Sequence, residues 1–141
     1  MLSDAEIDRL FRAAKVAQAM AYAPYSQFRV GAAVLSADGI VFAGCNVENA
    51  AYPLGSCAEA GALSAMAMSG ARRLRAALVL GEGEALVTPC GGCRQRLREF
   101  AAPDAEILIA GPQGLRARFT MEELLPSSFG PDNLGHTRGP A

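Results

Sequence analysis

The sequence predicts an α/β protein: a three-layer α/β/α sandwich around a mixed five-stranded sheet. Two observations carry this. Helix-like and strand-like segments follow one another in the order α-β-β-α-β-α-β-β-α, and strands interleaved with helices form a sheet whose faces the helices cover. The chain has 141 residues, of which 51% are hydrophobic, enough for one core and too few for two ordinary domains. Residues 1–141 are therefore expected to form a single domain, with a loose tail from about residue 130, where Gly and Pro accumulate.

Ser3 with Glu6 has the pattern of a capping box, opening a helix through about Tyr22 with Ile7, Leu10, Phe11, Ala14 and Val16 roughly on one face. Pro24 ends it. Phe28 to Ser36 reads as a strand, Asp38-Gly39 as a tight turn, and Ile40 to Gly44 as the returning strand. A polar loop runs from Cys45 to Pro53. Ala58 to Met68, rich in Ala, Leu and Met, is helical, and Gly70 caps it. Ala76 to Leu80 is a short apolar strand. The loop Gly81-Glu82-Gly83-Glu84 lacks the Gly-Lys-Ser/Thr ending of a phosphate loop. Gly92 to Phe100 is helical, Ala105 to Ala110 a fourth strand, and Leu115 to Phe119 a fifth after Gly111-Pro112. Thr120 with Glu123 caps a short last helix.

There are 13 basic and 14 acidic residues, a formal charge of -1, which leaves no electrostatic footprint for nucleic acid. The group Arg72, Arg73 and Arg75 reads as a solvated helix end. No apolar run is long enough for a bilayer, and the acidic N-terminus is unlike a signal peptide, so a cytoplasmic protein is expected. In a reducing compartment four cysteines point to metal binding or catalysis rather than to two disulfides.

Pro89-Cys90-Gly91-Gly92-Cys93 places two thiols at a spacing common in zinc sites, and Cys57 supplies a third. Both groups open a helix, where unpaired N–H groups and the positive dipole end favour thiolates. Three protein ligands leave one tetrahedral position open, as in a catalytic zinc. Cys45 and His136 are weak candidates for a fourth ligand: one reads as a small strand residue, the other sits in the tail. Read alone, Cys90 and Cys93 also suit a redox pair, but such a pair needs no third thiol followed by a carboxylate. Glu59 lies two positions after Cys57, where it can face the open position and take a proton from a metal-activated water. Alone it would pass for a surface glutamate serving the helix dipole.

Cys57-Ala58-Glu59 followed by Pro89-Cys90-Gly91-Gly92-Cys93-Arg94-Gln95 resembles the small zinc-dependent cytidine deaminases of nucleoside salvage. The likeness extends to Tyr25 through Ala33, Gly44 through Tyr52, and Leu124 through Gly130. It covers roughly residues 5 to 134, with segments agreeing in order and spacing. The resemblance implies one Zn2+ per subunit held by Cys57, Cys90 and Cys93, with Glu59 as the proton shuttle. It implies hydrolytic deamination of cytidine and 2'-deoxycytidine at C4, within pyrimidine salvage. Asn46 and Glu48 would hydrogen-bond the ribose hydroxyls, and Phe28 would pack against base or sugar. Tyr52 would support the loop or a subunit contact, and Phe129 would reach into a neighbouring subunit's site, since the family's small members are homotetramers with shared active sites. The partner is then a small pyrimidine nucleoside, not a nucleic acid or a membrane.

The chain departs from the family where three-cysteine members commonly carry arginine after the catalytic glutamate: it has Ala60. Three thiolates and Zn2+ sum to a negative centre, so Arg94 or backbone N–H groups are expected to compensate. Rival functions are a deaminase of a modified nucleoside or nucleoside antibiotic of the blasticidin S type, and a zinc-stabilised module without catalysis. A polynucleotide-editing deaminase would need a basic groove and stacking aromatics, and the chain has neither a charge excess nor tryptophan.

Overall fold

The computed structural model of the chain describes residues 1–136. The first helix starts where the capping box places it. Glu6 N–H donates to Ser3 Oγ at 3.2 Å and Ser3 N–H donates to the Glu6 carboxylate at 2.9 Å, so α1 runs Asp4–Ala19. It stops short of Tyr22 because residue 22 has other partners. Tyr22 N–H donates to Asn46 O at 3.0 Å and Glu48 N–H to Tyr22 O at 2.8 Å, drawing the chain into a bridge with Val47. Ser3→Ala is expected to cost about 1 kcal/mol of stability, read as a lower urea midpoint at unchanged slope.

The remaining elements are β1 (Gly31–Ser36), β2 (Val41–Cys45), α2 (Ala58–Met68), β3 (Leu74–Leu80), α3 (Gly91–Phe100), β4 (Ala101–Gly111), β5 (Gly114–Thr120) and α4 (Met121–Leu124). The five strands form one sheet in the order β2-β1-β3-β4-β5. Only β3 and β4 run parallel; the other neighbours are antiparallel. The sheet is therefore mixed, as expected. Alternation along β1 divides its side chains between two layers. Ala33 and Leu35 join Leu10, Ala14, Leu78 and Leu108 under α1; Ala32 and Val34 join Ala62, Met66, Leu97 and Ile107 under the other helices.

Two strands differ most from the expected spans. β1 begins at Gly31 rather than Phe28, because Asn46 clamps the preceding segment: its Nδ2 donates to Phe28 O at 2.8 Å, and its Oδ1 accepts from Val30 N–H at 2.9 Å. β4 begins at Ala101 rather than Ala105, directly after α3. Pro103 and Asp104 hide this start in the sequence, and the β3–β4 register is irregular there, between Leu74 and Ala76.

Glycines set the distance of the helices from the sheet. A Cβ on Gly31 would lie 2.0 Å from Ala14 O of α1, and one on Gly44 2.4 Å from Ala62 N of α2. Backbone therefore packs on backbone at both places.

The expected helix end fits Arg72, whose Nη1 donates to Ala67 O at 2.8 Å, but not Arg75, which lies in β3 and pairs with Glu6 at 3.0 Å. The last helix has its capping box, with Glu123 N–H donating to Thr120 Oγ1 at 3.2 Å. Within the stretch from about residue 130, Pro131–Leu134 forms a 3-10 turn closed by Gly135 in the left-handed region, φ 67°. Residues 137–141 of that tail lie outside the described residues. No helix among the described residues is long and apolar enough to cross a membrane.

Candidate metal centre and catalytic pocket

The N-termini of α2 and α3 bring the cysteines together. Cys57 caps α2 and Cys90 caps α3, both with extended backbone, and Cys93 sits in the first turn of α3. The three sulfurs lie within 4.8 Å of one another. Tetrahedral zinc with bonds of about 2.3 Å holds its sulfurs about 3.8 Å apart. The thiols thus fit that metal in spacing, and an all-sulfur set suits zinc in chemistry. Cys45 is half-buried and His136 exposed, and neither belongs to this group.

Burial pushes the Cys57 and Cys93 thiols up, and the neighbouring charges of Glu59 and Cys90 push the same way. Cys90 is held below the usual thiol range, first by the Cys93 backbone N–H and further by the Cys93 and Cys57 thiols and the Gly92 N–H. These amides belong to the first turn of α3 and have no partner within the helix. Backbone N–H groups, the second of the two expected sources, thus lie toward Cys90. The first, Arg94, is overturned: its Nε donates to Pro89 O at 2.8 Å, Nη1 to Leu124 O at 2.9 Å and Nη2 to Thr88 Oγ1 at 3.3 Å. Its donors are turned to oxygens, and it anchors the strand-to-helix loop to α4.

Glu59 is in the first turn of α2 and only 4% exposed. Burial raises its carboxyl above the ordinary range; its own backbone N–H, the Cys93 thiol and the Arg96 charge act against the rise. A cavity of about 190 Å³ joins Glu59, Cys57 and Cys90 to Asn46, with Val30, Val79, Val87 and Thr88 as its walls. These four walls escape a reading of the sequence. The valines look like core strand residues, and only the adjacency of Thr88 to Pro89-Cys90 hints at the site.

Glu48 and Tyr52 line a separate recess with Tyr25, Ser26 and Asn49. The Glu48 carboxylate accepts from the Ser26 hydroxyl and from the N–H groups of Tyr25 at 2.9 Å and Ser26 at 3.1 Å. The hydroxyl first, then the amides, hold it below the usual carboxylate range. The Tyr25 and Tyr52 rings meet edge-on, centroids 6.0 Å apart. Phe28 and Phe129 are 41% and 60% exposed and line neither hollow. A single chain therefore gathers the thiols, Glu59 and Asn46, sets Glu48 and Tyr52 nearby, and leaves the two phenylalanines outward.

Residues 4–109 match the family described as the cytidine and deoxycytidylate deaminase zinc-binding region. The chain is 45% identical over 138 residues to a cytidine deaminase of Mycobacterium tuberculosis, covering 97% of this chain and 99% of that one. It is 37% identical over 131 residues to a cytidine deaminase of Sporosarcina psychrophila, covering 93% and 96%. Among solved structures, the cytidine deaminase of Burkholderia pseudomallei superposes with a TM-score of 0.80 at 43% identity, covering 92% of this chain and all of that one. With the thiol triad, the buried glutamate and these likenesses in hand, the chain belongs to the cytidine and deoxycytidylate deaminase family.

Proposed function

We propose that this protein hydrolyses cytidine and 2'-deoxycytidine to uridine and 2'-deoxyuridine with release of ammonia, as a step of pyrimidine salvage in the cytoplasm. The observation that carries this reading is Glu59, a buried carboxyl opening onto the same small cavity as the thiols. Cys57, Cys90 and Cys93 would hold one zinc, and the bound metal supplies a Lewis acid that makes water acidic enough to react near neutral pH. Glu59 takes the proton of the attacking water and passes it to N3 of the pyrimidine. The water oxygen bonds to C4, Glu59 moves the remaining proton to the exocyclic amine, and the C4–N bond breaks as ammonia leaves. Valine side chains border the cavity, and an apolar wall strengthens the polar interactions beside it.

Asn46 and Glu48 hold the ribose in this reading. Both are fixed in advance: Asn46 by Phe28 O and Val30 N–H, Glu48 by Tyr25 and Ser26. An amide or carboxylate so held keeps capacity for a further hydrogen bond, and its orientation no longer costs entropy on binding. Phe28 packs against base or sugar, and Tyr52 steadies the loop. Phe129, outward on the single chain, reaches the site of a neighbouring subunit in a homotetramer, with Gln95 Nε2 anchoring its carbonyl at 2.9 Å. The whole chain acts as one domain.

Zinc-loaded protein incubated with cytidine should lose the ultraviolet absorbance of the aminopyrimidine and release ammonia in step. Absorbance that stays constant with cytidine, alongside turnover of another aminopyrimidine nucleoside, would reassign the substrate. Asn46→Ala should lower kcat/KM for cytidine about tenfold or more, because a partner of the sugar and the clamp on Phe28 are lost together.

A further inference from the structure

With zinc bound, three thiolates and the divalent ion would leave the centre with one net negative charge. Helix α2, which presents Cys57 and Glu59, contains no lysine or arginine, and Ala60 follows the glutamate. Arg94 is turned to oxygens elsewhere. Arg96 is different. It lies one turn beyond Cys93 on α3 and borders a surface groove that it shares with Ala60 and Glu99. Among the described residues it forms no ion pair, with Glu99 or any other acid. Its Nη1 lies 3.2 Å from the point where a Cβ on Gly92 would stand, and the Cys90 sulfur lies 4.0 Å from that same point. The guanidinium and the thiol thus both border the space that a side chain at position 92 would occupy.

We propose that Arg96 is the charge-balancing positioning residue of the metal centre, reaching across Gly92 from α3 to supply the cation that Ala60 of α2 does not. The exchange is between neighbouring helices, so the cation stays on the same flank of the site. Arg96 is exposed, and an exposed charge acts through solvent; its influence is a few-fold rather than absolute. The role rests on the functional reading above, since it presumes that the thiols hold zinc.

The test compares wild type, Arg96→Gln, Arg96→Lys and the double variant Arg96→Gln/Ala60→Arg. Two quantities are read: zinc retained against a chelator at about pH 5, and kcat with KM for cytidine. At that pH freed thiols take up protons, so metal release removes negative charge from the site, and a nearby cation favours the loaded state. Arg96→Gln should release zinc about two- to fivefold more readily and lower kcat by a similar factor with KM unchanged. Arg96→Lys and the double variant should restore both. Zinc retention unchanged in Arg96→Gln, or Arg96→Lys behaving like Arg96→Gln, overturns the role. Wild-type protein that holds no zinc overturns the reading of the site and this inference with it. Wild type that keeps zinc but leaves cytidine intact overturns the substrate alone, and the zinc measurement still decides Arg96.

Discussion

Glu59→Gln is expected to lower kcat for cytidine by about 10²- to 10⁴-fold, the range typical of a lost general acid–base group. The amide matches the carboxylate in size, so the first turn of α2 should persist. It cannot accept the water proton, and the transfer to N3 and to the leaving amine fails with it. Zinc content should stay at wild-type level, because Glu59 stands beside the thiol group and is not one of its members. Metal analysis and steady-state kinetics on the same preparation check both halves. A variant with full zinc and near-normal kcat would remove Glu59 from the proton path. One that lost its zinc would move Glu59 into the metal's support instead.

The second large effect lies away from the chemistry. Gly44→Ala should destabilise the fold by about 3 kcal/mol, at the upper end of what overpacking usually costs. The new methyl would lie 2.4 Å from Ala62 N, 2.6 Å from Ala58 O and 2.7 Å from Gly61 C. All three are backbone atoms, so no side chain can swing aside. Relief must come from moving α2 off the sheet, and α2 carries Glu59 with Cys57 at its cap. The urea midpoint should fall, and the protein that remains folded should bind zinc more weakly than wild type. A midpoint equal to that of wild type would show that the helix accommodates the methyl without moving.

Much of this architecture could be read from the chain because local signals and tertiary demands agree. The Ser3–Glu6 and Thr120–Glu123 boxes start their helices where the pattern puts them, and α2 spans Ala58–Met68 as its composition implies. The ligands were legible for a similar reason: thiols at a helix start, spaced for one ion, suit little besides holding it. What escaped was decided at long range. The end of α1 depends on pairing with the loop around Val47, and the start of β4 on pairing with Leu74 despite Pro103. Of the cavity walls, Val30 and Val79 read as strand residues while Val87 and Thr88 lie in the loop before Cys90, and only the fold brings them together beside Glu59. Arg94 was misplaced because the sequence cannot say which oxygens surround a guanidinium; here Pro89, Leu124 and Thr88 take all three of its nitrogens.

The thiols that cap the two helices lie 33 positions apart along the chain, and β3 is the strand between them. They meet only after β3 has entered the sheet between β1 and β4. An unfolded chain therefore offers an ion only the local Cys90–Cys93 pair without Cys57, and affinity for the metal becomes part of the driving force for folding. The melting temperature should then climb with free zinc and fall in chelator, tying how long the protein survives in a cell to how much metal that cell can spare.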